Sequence, residues 1–239
     1  MIAQLLNISK TYRTSPDAPE QRVLAGLNLS IAARETLAIT GPSGCGKSTV
    51  LNLLGTLDQP DEGTVRLFDK DVPYGDETAL SALRAQRLGF IFQLHHLLPQ
   101  CTALENVLIP TLGGAERPDP AAAAERAHQL LSRVGLGLHV HKKPAQLSGG
   151  ERQRVAVVRA LIRQPGLILA DEPTGALDAR SAGQLMDLLL ELNEEEGTAL
   201  VLVSHDPALA ARMSRQYRLL DGELTDLPPP PNSGPPVSG

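Results

Sequence analysis

The chain has 239 residues, enough for one large domain or for a core with a smaller subdomain, with a sizeable apolar interior. Its 42% hydrophobic and 21% charged content is ordinary for a globular protein and excludes a disordered or fibrous class everywhere but at the C-terminus. A net charge of -5 argues against nucleic acid as the main partner, because an electrostatic footprint needs clustered Lys and Arg.

Short strands are predicted first, from apolar groups at Leu5, Leu6 and Ile8, at Leu27, Leu29 and Ile31, and at Leu37, Ala38 and Ile39. The polar, Pro-containing run RTSPDAPEQR at 13–22 reads as a loop. A Gly-rich turn at 41–46 ends the third strand, a helix is expected over 47–56, and another strand over 64–68. Strand, Gly-rich turn and helix in that order point to an α/β sheet. From about 77 to 164 helical patterns dominate, at 77–87, 102–109, 121–134 and 151–163, and a helical subdomain inserted at about 94–164 is expected. The α/β pattern resumes with a strand at 167–170, a helix carrying Leu185, Leu188, Leu189 and Leu192 at helical spacing, and a strand at 199–203. Asp221-Gly222 reads as a hairpin turn. One folded unit is expected over 1–227, followed by a disordered Pro-rich tail, PPPPNSGPPVSG, at 228–239.

Cys45 and Cys101 are far apart and form no CxxC pair, so neither a disulfide framework nor a zinc site is indicated. Residues 1–30 lack the basic start and apolar stretch of a signal peptide, and no apolar run approaches the ~18 residues of a membrane span. A cytoplasmic chain is expected, reaching any membrane through a partner.

Three motifs carry chemistry. GPSGCGKST at 41–49 fits the phosphate-loop spacing of Gly41, four residues, Gly46, Lys47 and Ser48. Its glycines let the backbone wrap phosphates, so that Gly41, Pro42, Ser43, Gly44, Cys45, Gly46 and Thr49 are candidate nucleotide contacts at a helix N-terminus. Lys47 is expected on the β- and γ-phosphates, and the Ser48 hydroxyl on Mg²⁺. LILADEP at 167–173 is an apolar strand ending in two acids, Asp171 for Mg²⁺ and Glu172 to polarise an attacking water. Two adjacent acids alone would be a solvated loop; after a buried strand in a chain with a phosphate loop they complete a nucleotide site. LSGGERQR at 147–154 puts Ser148, Gly149 and Gly150 at a helix start, which is either a plain Ser cap or a second anion site.

The phosphate loop, LSGGERQR, the acid pair and His205, in that order, resemble the ATP-binding cassette family over about residues 1–225. The resemblance implies a P-loop NTPase core: a mixed sheet with flanking helices, an N-terminal antiparallel β subdomain and the inserted helical subdomain. It also implies ATP and Mg²⁺ as cofactors and a head-to-tail homodimer in which Ser148 and Gly150 of one copy close on ATP held by the other. Family roles fall on Tyr12 for stacking adenine, Gln93 for sensing Mg²⁺ and water, Asp178 for contact across the dimer, and His205 for the γ-phosphate. Tyr12 reads equally as a packed strand residue, and Gln93 and His205 have the plainer readings of a strand-end polar group and a loop histidine.

A finer similarity, in 89–110 (GFIFQLHHLLPQCTALENVLIP) and 211–224 (ARMSRQYRLLDGEL), is to ATPases of the lipoprotein-releasing system, in a group that also holds macrolide-type efflux and cell-division ATPases. Such a subunit would be peripheral on the inner face of the cell membrane, with a separate permease docking near Gln93 to Pro99. Ala176 in GALD, where the family often has Asn, and Arg34-Glu35 in place of Gly-Glu depart from the pattern. His95-His96 and His139/His141 do not share a helix face and lack acidic or Cys companions, which speaks against a metal site. Repair ATPases with long coiled coils and two-cassette translation factors do not fit one short cassette. A non-transport regulator, such as a cell-division ATPase, is the alternative reading.

Overall fold

The strands sort into two sheets because of which faces are apolar. In a computed structural model describing residues 1–13, 19–114 and 116–228, β1 (Ala3–Tyr12), β2 (Gln21–Ile31), β4 (Glu62–Leu67) and β5 (Lys70–Asp71) form an antiparallel sheet ordered β2-β1-β4-β5. A second sheet takes β3 (Thr36–Thr40), β6 (Leu88–Phe92), β7 (Leu167–Asp171), β8 (Ala199–Val203), β9 (Arg215–Leu220) and β10 (Glu223–Leu227) in the order β10-β9-β3-β8-β7-β6. Within it only the β9/β10 hairpin is antiparallel. That hairpin turns on Asp221 and Gly222, both at positive φ, as the Asp-Gly signal requires.

Strands β7 and β8 are buried on both faces, so they read as continuous apolar runs and not as alternating ones. Their side chains still divide with period two. Ala38, Ile168, Ala170, Leu200 and Leu202 join a core with the helices α3 (Ala103–Leu108), α4 (Pro120–Arg133), α5 (Gly149–Leu161) and α6 (Ala179–Glu196). Leu37, Ile39, Leu169, Val201 and Val203 face the other way, onto α1 (Lys47–Leu54) and the antiparallel sheet. The six-stranded sheet is thus the middle layer.

The helical span expected from 77 to 164 needs a correction. Leu88–Phe92 inside it is strand β6, paired in parallel with β7, and α2 (Glu77–Arg87) before it packs through Leu80 with the α1 side of the sheet. A five-residue apolar run cannot be told from a piece of helix by periodicity, and here its partner lies far along the chain. Helices α3, α4 and α5 follow β6 and precede β7. Residues 14–18 of the expected loop and 229–239 of the Pro-rich tail lie outside the described residues. Among the described residues no helix is long and apolar enough to cross a membrane.

Candidate active site

The carboxyl ends of parallel strands, where α/β proteins build ligand sites, deliver the motif residues to one edge. Strand β3 runs into the phosphate loop, β6 into Gln93, β7 into Asp171 and Glu172, and β8 toward His205 by way of Ser204. Register makes them neighbours, since Asp171 stands opposite both Phe92 and Val203.

The phosphate loop depends on glycine at two points. Gly41 has φ 152, and a Cβ there would stand 2.4 Å from the Leu219 carbonyl oxygen. Gly46, at φ 107, begins α1, and a Cβ on it would press within 2.7 Å of Val23 Cγ1. No described side chain caps α1, which leaves the first-turn amide groups directed at the loop for an anion. Lys47 is buried, and its ammonium donates to the Gly41 and Pro42 carbonyls, each at 2.9 Å. A cleft of about 280 Å³ is lined by Tyr12, Val23, Gly44, Lys47, Ser48 and Thr49. The adenine candidate and the phosphate candidates therefore share one cavity.

Ser48, at the start of α1, lies near the Asp171 carboxyl. Burial raises the Asp171 pKa, and the nearby Glu172 charge adds to this, against the Ser48 hydroxyl and the Lys47 charge. A hydroxyl near a carboxylate, the latter held poor in solvent, is a hard-oxygen donor pair that suits Mg²⁺, and a bound cation would reverse the upward shift. Glu172 sits at φ 47, a conformation that costs a non-glycine residue about 1–3 kcal/mol and clusters at functional sites. Its N–H donates to the Val203 carbonyl at 3.0 Å, and its carboxylate lies 2.8 Å from His205 Nδ1. The half-buried Glu172 thus carries a largely exposed histidine. Gln93 is exposed, its amide packed so close to Gly175 that a Cβ there would come within 2.8 Å of Nε2.

Tyr12 ends β1 with its ring partly exposed. Its hydroxyl donates to Asp58 at 2.6 Å, while Lys10 Nζ binds the same carboxylate at 2.8 Å and lies 5.2 Å from the Tyr12 ring centroid. Burial works to raise the Asp58 pKa, but hydrogen bonds from Lys10 and Tyr12 hold it below the usual carboxylate value. Sequence reading missed Lys10 and Asp58, which have no motif around them and meet only when β1 pairs with β4.

The second anion candidate lies apart. Ser148 caps α5 in a reciprocal box: its hydroxyl accepts from the Glu151 N–H at 3.2 Å, and its own N–H donates to Glu151 Oε2 at 2.6 Å. Gly149 and Gly150 follow, half-exposed. Neither these residues nor Ser148 line the Lys47 cleft. Asp178 caps α6, accepting from the Ser181 N–H at 3.0 Å and its hydroxyl at 2.6 Å, and those bonds hold its carboxyl below the usual range. Of the paired histidines, His95 accepts from Arg152 and His139 pairs with Glu151.

Cys45 is half-buried in the loop, its sulfur 2.8 Å from where a Gly41 Cβ would stand. Cys45 lines a cleft of about 400 Å³ with Pro42, Ser43 and Gly44, and an alkyl adduct would occupy space beside the loop amides that phosphates need. Treatment with a maleimide should stop ATP hydrolysis, and Mg-ATP should slow the labelling. Equal labelling of Cys45 with and without Mg-ATP, measured by mass spectrometry, would contradict this.

Comparison with known proteins gives the same picture. A sequence profile described as ABC transporter matches residues 24–175. The lipoprotein-releasing system ATP-binding protein LolD of Hydrogenovibrio crunogenus is 50% identical over 225 residues, spanning 94% of this chain and 96% of that protein. LolD of Xanthomonas axonopodis pv. citri is 52% identical over 222 residues, 93% of this chain and 89% of that protein. A solved ATP-binding cassette, a dimer in a post-hydrolysis state bound to ADP and Pi, superposes with a TM-score of 0.84 at 40% identity, covering 93% of this chain and 96% of that one. The phosphate loop on β3, the acid pair on β7 and a profile match over most of the chain agree that this protein belongs to the ABC transporter family, as an ATP-hydrolysing subunit.

Proposed function

We propose that two copies of this chain pair head to tail, each closing Ser148–Gly150 on ATP held in the other's cleft, and that the cycle drives a separate membrane permease in lipoprotein release. The observation that carries this reading is the separation within one chain of the uncapped α1 N-terminus, in the Lys47 cleft, from the half-exposed Gly149 and Gly150. One subunit offers two halves of an anion site that it does not join by itself. A solved relative that is a dimer with ADP and Pi supports the pairing, and the names of relatives at 50–52% identity support the release of lipoproteins.

In this reading Tyr12 stacks on adenine, the 41–49 amides and Lys47 hold the phosphates, and Ser48, Asp171 and Gln93 hold Mg²⁺. When bound, that ion neutralises charge on the β- and γ-phosphates. Glu172 takes the proton of the attacking water as its oxygen bonds to the γ-phosphorus, and the bond to the ADP oxygen breaks. His205, hydrogen-bonded to Glu172, orients that carboxylate and faces the γ-phosphate. Asp178, at the start of α6, contacts the second copy. The permease docks along Gln93 to Pro99, where Leu94 and Leu98 are 65% and 42% exposed. Beside them runs a cleft of about 420 Å³ lined by Phe90, Phe92, His96 and Pro110. The subunit then sits at the inner face of the cell membrane through its partner.

Purification of the tagged chain from solubilised membranes of its host tests this. A co-purifying four-span permease with a large extracytoplasmic domain is expected. A six-span importer subunit with a binding protein would overturn the lipoprotein reading.

A further inference from the structure

We propose that Arg152 is a positioning residue that latches the segment after Gln93 to the start of helix α5, so that a displacement of His95 is transmitted to Ser148; this rests on the head-to-tail reading above. The guanidinium reaches two ways. Nε donates to His95 Nε2 at 2.8 Å, while Nη1 donates to the Leu147 carbonyl at 2.5 Å, with a longer contact of 3.4 Å to that of Pro144. Leu147 immediately precedes Ser148, the cap of α5.

A guanidinium can only donate, so His95 Nε2 is the acceptor and the ring proton belongs on Nδ1. That nitrogen is buried and has no partner among the described residues. The ring gains nothing on its far side, and its one hydrogen bond is the one to Arg152.

Helix α5 holds the same segment at further points. Gln153, buried, donates to the Phe92 carbonyl at 2.9 Å, just before Gln93. Arg159 donates to the carbonyls of His95 at 2.8 Å and His96 at 2.7 Å. Residues 152 and 159 are two helical turns apart and share a face. His96 adopts φ 46, a left-handed state open to histidine more than to most residues, and successive carbonyls meet one guanidinium. Gln153 and Arg159 fix the segment to the body of α5, whereas Arg152 also grips the chain that enters its N-terminus. A partner that moves His95 therefore pulls on the backbone supporting Ser148.

The test uses the full chain carrying Glu172→Gln, with Mg-ATP. Dimer dissociation is measured by analytical ultracentrifugation, and ATP binding by the dilute monomer with a fluorescent ATP analogue. Arg152→Ala should weaken the dimer by roughly 10- to 100-fold, the range for losing hydrogen bonds to a charged group, and leave monomer binding of the analogue unchanged. His95→Leu should weaken it in the same direction, and the double variant should be no worse than Arg152→Ala alone, because the His95 link is already lost with Arg152. His95→Gln, whose amide oxygen can accept from Arg152, should restore dimerisation. If Arg152→Ala does not fold, the His95→Leu and His95→Gln pair, which leaves Arg152 in place, decides. Unchanged dimerisation, additive losses, failure of Gln to rescue, or a matching loss of analogue binding overturns the latch. A Glu172→Gln parent that stays monomeric with ATP overturns the head-to-tail reading itself, and the latch with it.

Discussion

Replacing Glu172 with Gln is expected to slow hydrolysis by about 10²- to 10⁴-fold, the range for removing a general base, and to trap an ATP-bound dimer. From a typical turnover of about 10 s⁻¹ the variant would run at roughly 0.1 to 0.001 s⁻¹, so the closed state would last about 10 to 1,000 s. Most of that range is visible by size-exclusion chromatography. Gln keeps the side-chain shape and can still accept from His205 Nδ1, which lies 2.8 Å from the carboxylate, so folding should be unaffected. Adding Ser148→Arg should abolish the dimer by filling the space for the opposing phosphate. Undiminished hydrolysis in Glu172→Gln would mean the base is misassigned, and a dimer indifferent to Ser148→Arg would mean that α5 does not close the site of a second copy.

Lys47→Ala should lose ATP affinity by about 10²-fold or more, because hydrogen bonds to a charged group contribute about 1.5–3 kcal/mol each and the ammonium is placed to make more than one. A second effect follows from the loop. The Lys47 ammonium bridges the Gly41 and Pro42 carbonyls, and its removal should lower stability by about 1–3 kcal/mol, or roughly 2–4 °C per kcal/mol for a chain of this size. A fluorescent-nucleotide titration and a melting curve check the two effects separately. Wild-type affinity in Lys47→Ala would remove the lysine from the phosphate site; an unchanged melting temperature would show that its bonds to the loop contribute nothing net.

Much of the nucleotide site is legible from the sequence because it is local. Gly41, Gly46, Lys47 and Ser48 lie within one turn-helix unit, where steric limits on the backbone allow few residue types, so spacing alone identifies them. Asp171 and Glu172, at the end of an apolar strand, are legible once the phosphate loop is recognised. Ser148 is legible as a cap, and Glu151 three residues on completes the box in the structure.

What is not legible depends on pairing across the chain. The β6 run has too few residues to show a period, and it becomes a strand because β7, far along the sequence, offers a parallel edge. Tyr12 is held by Asp58 and Lys10, and His95 by Arg152; none of these pairs has a spacing signature, since a hydrogen bond between distant residues leaves no trace in local order. The sequence by itself carried the resemblance to the family, and it determined the phosphate loop and the acid pair, because those two are set by backbone sterics and charge within a few residues. Only the tertiary structure decided that Tyr12 shares the Lys47 cleft, that Glu172 meets His205, and that α5 is tied to the segment after Gln93, because those contacts exist only once the sheet register has brought separate strand ends to one edge.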